Sequence, residues 1–554
     1  MTENNALPIH VLVPMSGQGT RYANFGYSDP KPLIPVNGIP MIDRLMRNFP
    51  IAWPTIFVMA DNHVETRLPT ELRRLRPDAH QAFVPRHTKG PGLAILEGLR
   101  HIPGDAPVLV TYCDYAMVWD NGQFEQFVRD SQCDACLVSY RGFHAHYLSP
   151  QMYAYSRIDP TNGEMVREVK EKGAFTDDRE SEYASCGAYY FRTADMLRAA
   201  LEYQFQNNMS LNGEFYTSLT VEALIRMRPE SPRPRVRVFE IPGFFQWGTP
   251  EDLRAFEYWE KTFRAANRNL ASENSVGNIL MPMAGAGSRF AGVADAPKPF
   301  IEIAGIPMAR RALASLPRPE SGKTVIVALA AHRDLVLQSA LPTADVVFLE
   351  TTPSGQALST EAGVSPLVGS RISADTTNDT KSDIIISACD HAIVLDPPRW
   401  KRFRADPQCD AAIFTATGFP GVSRRPNAFA YVEASAPPDD QEFPLVQSVS
   451  VKRPLSASPV LDRLLVGTFW FRDHHILSKG IDLAKARKAQ VNGELYLDSI
   501  FELLQAAGHV VRCVPLDGYI NWGDPDSLAE ALYWQEIFFG RRIDRRPRFP
   551  GVMK

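Results

Sequence analysis

A short loop, Gly17-Gln18-Gly19-Thr20-Arg21, follows the apolar run HVLVPM. Glycines at such a junction let backbone N–H groups come close to a phosphate, and the start of a following helix adds a favourable dipole. Arg21 supplies a fixed fork of donors suited to phosphate oxygens. The loop lacks the third glycine of a dinucleotide fingerprint and the GK[ST] of a P-loop, so neither of those readings holds. Further on, Lys31 stands between Pro30 and Pro32. Flanking prolines restrict the backbone and should hold the lysine in an extended segment. A fixed ammonium is useful where negative charge builds up on a transferring phosphoryl group. Asp114 ends the apolar run PVLVTYC. A carboxylate at the carboxyl end of a strand suits a Mg²⁺ that also holds phosphate oxygens. The plainer uses of these residues are a tight strand-to-helix turn, a surface lysine and a helix N-cap.

All three features recur. Residues 11–42, VLVPMSGQGTRYANFGYSDPKPLIPVNGIPMI, return as LMPMAGAGSRFAGVADAPKPFIEIAGIPMA at 280–309. TYCDYAMV around Asp114 returns as SACDHAIV around Asp390, and QCDACLVS as QCDAAIFT. SLNGEFYTS returns as QVNGELYLDS, and FFQWGTPEDL as YINWGDPDSL. The spacing between matched residues drifts slowly along the chain, the mark of a tandem duplication with loop insertions rather than a short-period solenoid. Two domains are expected, 1–265 and 278–554, with a polar join, RAANRNLASENSVG, near 265–277. The extra residues of the second half fall in PLVGSRISADTTNDTKS at 366–382, which reads as an exposed loop. RMRPESPRPRVRV, from Arg226, reads as a loop entering a late strand.

The elements that must carry these residues are legible as a pattern. Short β-branched runs (HVLVPM, TIFVMA, PVLVTYCD) alternate with amphipathic stretches such as PMIDRLMRNF. That alternation predicts βαβ units around a mostly parallel sheet, with ligands beyond the carboxyl ends of the strands. A length of 554 residues exceeds one ordinary core. Hydrophobic residues at 45% and charged residues at 22% exclude global disorder. A net charge of −4 argues against a nucleic-acid binder. No apolar run reaches the roughly 18 residues of a membrane span, and MTENNALPIHVLVPM has no basic leader region, so a cytoplasmic location is expected. Seven cysteines do not make a disulfide framework. Cys133 and Cys136 have CxxC spacing without a second pair and read as the start of a buried strand. The twelve histidines show no ligand spacing repeated in both halves, and the arginines from Arg541 to Arg548 read as a solvated or packing tail.

Taken together, GxGxR, PKP, the strand-terminal aspartate and WGTPEDL resemble the sugar-phosphate nucleotidylyltransferases. The NGEFY segment resembles the capsule and lipopolysaccharide subgroup. The resemblance covers nearly the whole chain, once per half. It implies two tandem three-layer α/β/α domains, Rossmann-like and related to GT-A glycosyltransferases, with mostly parallel central sheets. It also implies roles. Gly17, Gly19 and Arg21 would cradle a triphosphate, Lys31 would sit near the attacked α-phosphorus, and Gly92 in HTKGPGLAI would approach the base. Asp114 matches the magnesium-binding aspartate. Glu171 and Lys172 in VKEKG would contact the sugar and its phosphate, and Gly187 and Glu214 would line the acceptor pocket. The second-half counterparts are Gly285, Gly287, Arg289, Lys298, Asp390, Lys452, Gly467 and Glu494.

The departures are as informative. Where many members of that family place a second metal-binding aspartate, the halves carry Gln246 and Asn521. An amide is a weak neutral ligand, so either one carboxylate suffices or another acid such as Glu214 contributes. Val451 stands opposite Glu171 and Asp524 replaces Thr249. The first half is therefore the expected catalyst. The expected reaction moves NMP from an NTP to a phosphorylated acceptor, a sugar 1-phosphate, with Mg²⁺ as cofactor and pyrophosphate released, giving an activated precursor for surface polysaccharide. The alternatives are a bifunctional enzyme with two acceptors, a second half that senses nucleotide without turnover, and a GT-A glycosyltransferase.

Overall fold

The computed structural model describes residues 8–539 apart from 18, 150–152, 229–231, 268–273, 321, 340, 342–343, 369–382, 437–440 and 491–492. Most of the 366–382 insertion, part of the join after 265 and the C-terminal arginines therefore lie outside the described residues. The chain divides into two compact units, Met1–Glu257 and Tyr258–Lys554. The division falls inside the helix Pro250–Asn267. The expected limits, 1–265 and 278–554, assign the end of that helix to the first half. In the structure its later residues pack in the second unit, where Trp259 meets Phe419 and Phe263 meets Phe539.

In the first unit the main sheet runs Val236–Glu240, Ala135–Tyr140, Tyr183–Phe191, Val108–Val110, His10–Met15, Thr55–Ala60, His80–Val84. All neighbours pair in parallel except Tyr183–Phe191, which runs antiparallel to both of its neighbours. Tyr155–Asp159 and Asn162–Lys170 extend from the start of that antiparallel strand. The apolar runs of the central strands, VLVPM, IFVMA and VLV, are explained by burial on both faces. Val11, Val13 and Met15 enter one core with residues of the helices Met41–Met46, Leu68–Leu75 and Asn121–Ser131. Leu12 enters the other, with the helices Gly92–Gly98, Ala194–Gln206 and Thr217–Met227. The result is the α/β architecture that the alternation predicts. Cys133 and Cys136 are both buried at the head of the strand Ala135–Tyr140, and all seven cysteines are free.

The second unit has the same strand order: Val511–Pro515, Ala411–Ala416, Leu464–Phe471, Ile384–Ser387, Asn278–Pro282, Thr324–Leu329, Asp345–Leu349. Each unit also has a small antiparallel pair that starts beside its strand-terminal aspartate. These are Tyr115–Val118 with Gly243–Gln246, and His391–Val394 with Gly518–Asn521. Among the described residues no helix is long and apolar enough to cross a membrane.

Candidate active site

The strand His10–Met15 ends at the glycine loop, on the side where ligands collect in such sheets. Gly19 has φ 62°, left-handed backbone that glycine adopts freely, and a Cβ there would stand 3.6 Å from the Cβ of Lys31. Gly17 faces open space. Lys31 is not in an extended segment: after Pro30, which is extended at ψ 136°, Lys31–Leu33 winds into one 3₁₀ turn. Pro32 fits there because an early helical position does not need its N–H. From this turn Lys31 Nζ donates to Asp114 Oδ2 at 2.5 Å and to the Gly248 carbonyl at 3.3 Å. Trp247 N donates to the Asp114 carbonyl at 2.7 Å. The buried Tyr22 directs its hydroxyl at the carbonyls of Trp247 and Thr249. Three segments far apart in sequence thus close on one point. Burial works against the Lys31 ammonium, but the Asp114 carboxylate outweighs it and holds the amine above its ordinary range. Arg21 is exposed, and its charge reaches both Lys31 and Tyr216.

The late loop contains a device that the sequence reading missed. Asp252 Oδ2 accepts from Thr249 N at 3.0 Å and Thr249 Oγ1 at 2.8 Å, and Asp252 N donates back to Thr249 Oγ1 at 3.1 Å. This reciprocal cap starts the helix at Pro250. Asp252 Oδ1 accepts from Gln246 Nε2 at 2.8 Å, which leaves Gln246 Oε1 buried without a hydrogen-bond partner. The oxygen of the amide is therefore orphaned in the loop that closes on Asp114. These donors fit a magnesium ion. Asp114 already holds a cationic group at Oδ2, its side chain is 27% exposed, and Gln246 Oε1 is a buried acceptor that lacks a donor. Among the described residues no three His, Cys, Asp or Glu side chains gather as a metal cluster. Mg²⁺ needs none, since it takes one or two protein oxygens together with phosphates and water.

Glu171, Lys172, Glu214 and Gly187, the residues expected to line an acceptor pocket, are held by neighbouring elements. Ser218 Oγ donates to Glu171 Oε2 at 2.5 Å, and Lys172, at φ 51°, donates from Nζ to the Tyr216 hydroxyl at 2.7 Å. Burial pushes the Glu171 carboxyl up, with the Ser218 bond and Lys172 opposing. Glu214 leaves a two-residue turn in which Asn212 and Gly213 both have positive φ, and its charge acts on Tyr216. Gly187, at φ 99°, sits at a bulge in its strand, and a Cβ there would meet the Tyr112 ring at 3.1 Å. Gly92 behaves differently. A Cβ on it would meet Phe205 and Phe215 within about 3.2 Å, so protein rather than open space faces this glycine. Gly90 was missed. Its φ is 76°, and the Phe215 amide lies 2.9 Å from where its Cβ would be. Ser218 and Tyr216 were missed too, although both lie in the NGEFYTS segment that recurs.

The second unit repeats the glycine loop and the Lys–Asp pair. Gly287 has φ 62°, Lys298 donates to Asp390 Oδ2, and Trp522 N donates to the Asp390 carbonyl at 2.8 Å. Burial alone would raise the Asp390 carboxyl; Lys298 and His391 hold it well below the ordinary carboxylate range. Gly285 faces open space, and Arg289 reaches the Gly523 carbonyl at 3.4 Å. The late loop differs. Asn521 Oδ1 accepts from Gly523 N at 2.9 Å, so its oxygen has a partner, and the cap is reversed, with Ser527 donating to Asp524. Arg425 donates to both oxygens of Asp524 and holds that carboxyl below its usual range against the effect of burial. Lys452 has φ 54°, Gly467 has φ 74°, and Glu494 accepts from the Tyr496 hydroxyl.

The first unit is a mostly parallel α/β domain with a glycine loop and a Lys–Asp pair beyond its strand ends. Residues 11–174 match the family model described as the MobA-like NTP transferase domain. Among solved structures, the chain is similar to a nucleoside-diphosphate-sugar pyrophosphorylase from Vibrio cholerae RC9, at 15% identity over 44% of this chain and 97% of that one, TM-score 0.35. It is also similar to the inositol-1-phosphate CTP transferase from T. maritima, at 17% identity over 48% of this chain and 97% of that one, TM-score 0.34. Among the curated proteins none matches this sequence.

Proposed function

We propose that the first unit transfers a nucleotidyl group from an NTP to a sugar 1-phosphate, as a precursor-forming step for surface polysaccharide. The observation that carries this is the meeting of Lys31, Asp114 and the glycine loop in the unit whose residues 11–174 match an NTP transferase domain. An oxygen of the acceptor phosphate attacks the α-phosphorus, the bond from that phosphorus to the bridging oxygen breaks, and pyrophosphate leaves. Gly17 and Gly19 let the backbone approach the triphosphate, and Arg21 is placed beside it. Lys31 neutralises charge as it builds on the transferring group. When bound, Mg²⁺ would neutralise further phosphate charge, held by Asp114 and Gln246 Oε1. Glu171 accepts hydrogen bonds from acceptor hydroxyls, and Lys172 faces the acceptor phosphate. The shared strand order of the two units supports descent from a duplication.

The test is magnesium-dependent pyrophosphate release over the four NTPs with a panel of sugar 1-phosphates. Lys31→Ala should lower kcat by about 100-fold or more while the chain still melts cooperatively. Turnover at the wild-type rate in that variant would overturn the assignment.

A further inference from the structure

The second unit keeps the Lys–Asp pair and alters the wall beyond it. The frame of that wall is the same in both units. Val169 N donates to Glu222 Oε2 at 2.8 Å in the first, and Val449 N donates to Glu502 Oε1 at 3.0 Å in the second. Lys172 and Lys452 turn the chain at φ 51° and 54°. Within this common frame, three positions change together. Val451 stands where the first unit has Glu171, Asp498 where it has Ser218, and Ala388 where it has Tyr112.

In the first unit Glu171 and Ser218 touch, through the bond from Ser218 Oγ to Glu171 Oε2. The two positions are thus facing sides of one small space. The charges acting on the Tyr216 hydroxyl come from Glu214, Glu171 and Arg21; those acting on Tyr496 come from Glu494, Asp498 and Arg289. Asp498 stands at the position of Ser218, which in the first unit bonds Glu171, and its Oδ1 accepts from Ser499 Oγ at 3.3 Å. Tyr112 meanwhile bonds Thr217 Oγ1 at 2.7 Å and crowds Gly187, whereas the nearest atom to the Cβ position of Gly467 is His391 Cε1 at 3.6 Å. With Ala388 in place of that ring, the wall loses an aromatic side chain.

We propose that the second unit holds its own acceptor site, for a phosphorylated, hydroxyl-bearing small molecule bulkier than the first unit's acceptor, with Asp498 as the carboxylate that accepts its hydroxyls. The inference rests on the nucleotidyltransferase reading of the first unit. It goes further in naming a different residue and a different acceptor size.

The experiment uses the full chain carrying Lys31→Ala and Glu171→Gln, which removes turnover by the first unit and weakens its hold on an acceptor, so that the Asp498 variants are compared in this background. Glucose 1-phosphate, N-acetylglucosamine 1-phosphate and inositol 1-phosphate are the probes, each with magnesium and the four NTPs. Binding is read by ligand-observed NMR and turnover by pyrophosphate release. N-acetylglucosamine 1-phosphate is expected to bind best of the three, and Asp498→Asn to weaken it about 10- to 100-fold. Ala388→Tyr should cost that probe more than glucose 1-phosphate. The double change Val451→Glu with Asp498→Ser, which restores the first unit's arrangement, should recover binding that Asp498→Ser alone loses, and this separates the role from a folding defect. Binding of none of the three probes, or unchanged affinity in Asp498→Asn, would overturn the proposal. Failure of the first-unit reading shows separately, as pyrophosphate release that Lys31→Ala leaves unchanged in a chain whose second unit carries Lys298→Ala.

Discussion

Glu171 shows how a single residue can trade stability for function. Burial raises its carboxyl above the ordinary glutamate range of about 4.3. A raised folded-state value means the folded protein holds the proton more tightly, so stability falls as pH rises through the interval between the unfolded and folded values. At neutral pH the ionised side chain is therefore a cost, and Glu171→Gln is expected to raise Tm slightly. The same change should raise KM for the acceptor about tenfold with little change in kcat. In wild type, KM should climb as pH drops below the raised value, and the variant should lose that climb. A KM-against-pH profile identical in both proteins would show that Glu171 does not bind the acceptor. The type and place of this residue were readable from VKEKG, but its partner was not, because Ser218 comes to it only when the helix Thr217–Met227 packs on the strand Asn162–Lys170. Lys31 and Asp114 were readable as chemistry on the same grounds. Their pairing was not, nor was the 3₁₀ turn that makes it.

Local elements divide along the same line. The Asn212-Gly213 turn has a local mechanism, since both residues take positive φ, but NGEFY was read only as a recurring segment and not as a turn. The Thr249–Asp252 cap has its own short spacing and still escaped notice, because the motif was read for phosphate and metal chemistry. That cap also orients Gln246, so two effects should follow from Asp252→Ala. Loss of the capping bonds should cost about 1 kcal/mol of stability. The freed Gln246 amide should raise the magnesium concentration needed for half-maximal rate. A thermal melt and a magnesium titration read the two effects separately, and an unchanged magnesium requirement would remove Gln246 from the metal's holders. The bulge at Gly187 has no local signal, since its need for glycine is set by a φ of 99° and by the Tyr112 ring, which follows the strand Val108–Val110.

For the whole molecule, the helix Pro250–Asn267 decides where the second unit begins. Tyr258 donates its hydroxyl to the Tyr519 carbonyl at 2.8 Å, and Thr262 packs so closely on Gly518 that a Cβ there would clash at 2.6 Å. Trp259 and Phe263 are buried, and each side chain of this kind contributes about 1.5–3 kcal/mol when removed from water. A fragment 278–554 is therefore expected to melt roughly 10 °C below a fragment 258–554. Equal melting temperatures would mean that those helix residues do not stabilise the unit. The sequence alone determined the repeat, the α/β class and the residue types at the phosphate end, because these are written in local periodicity and in motifs that occur twice. The tertiary structure alone decided the Lys31–Asp114 contact, the orphaned Gln246 oxygen, the facing of Glu171 by Ser218 and the unit boundary. Each of these joins residues far apart or buries side chains against distant ones, and local pattern carries no record of which distant partner a side chain will meet.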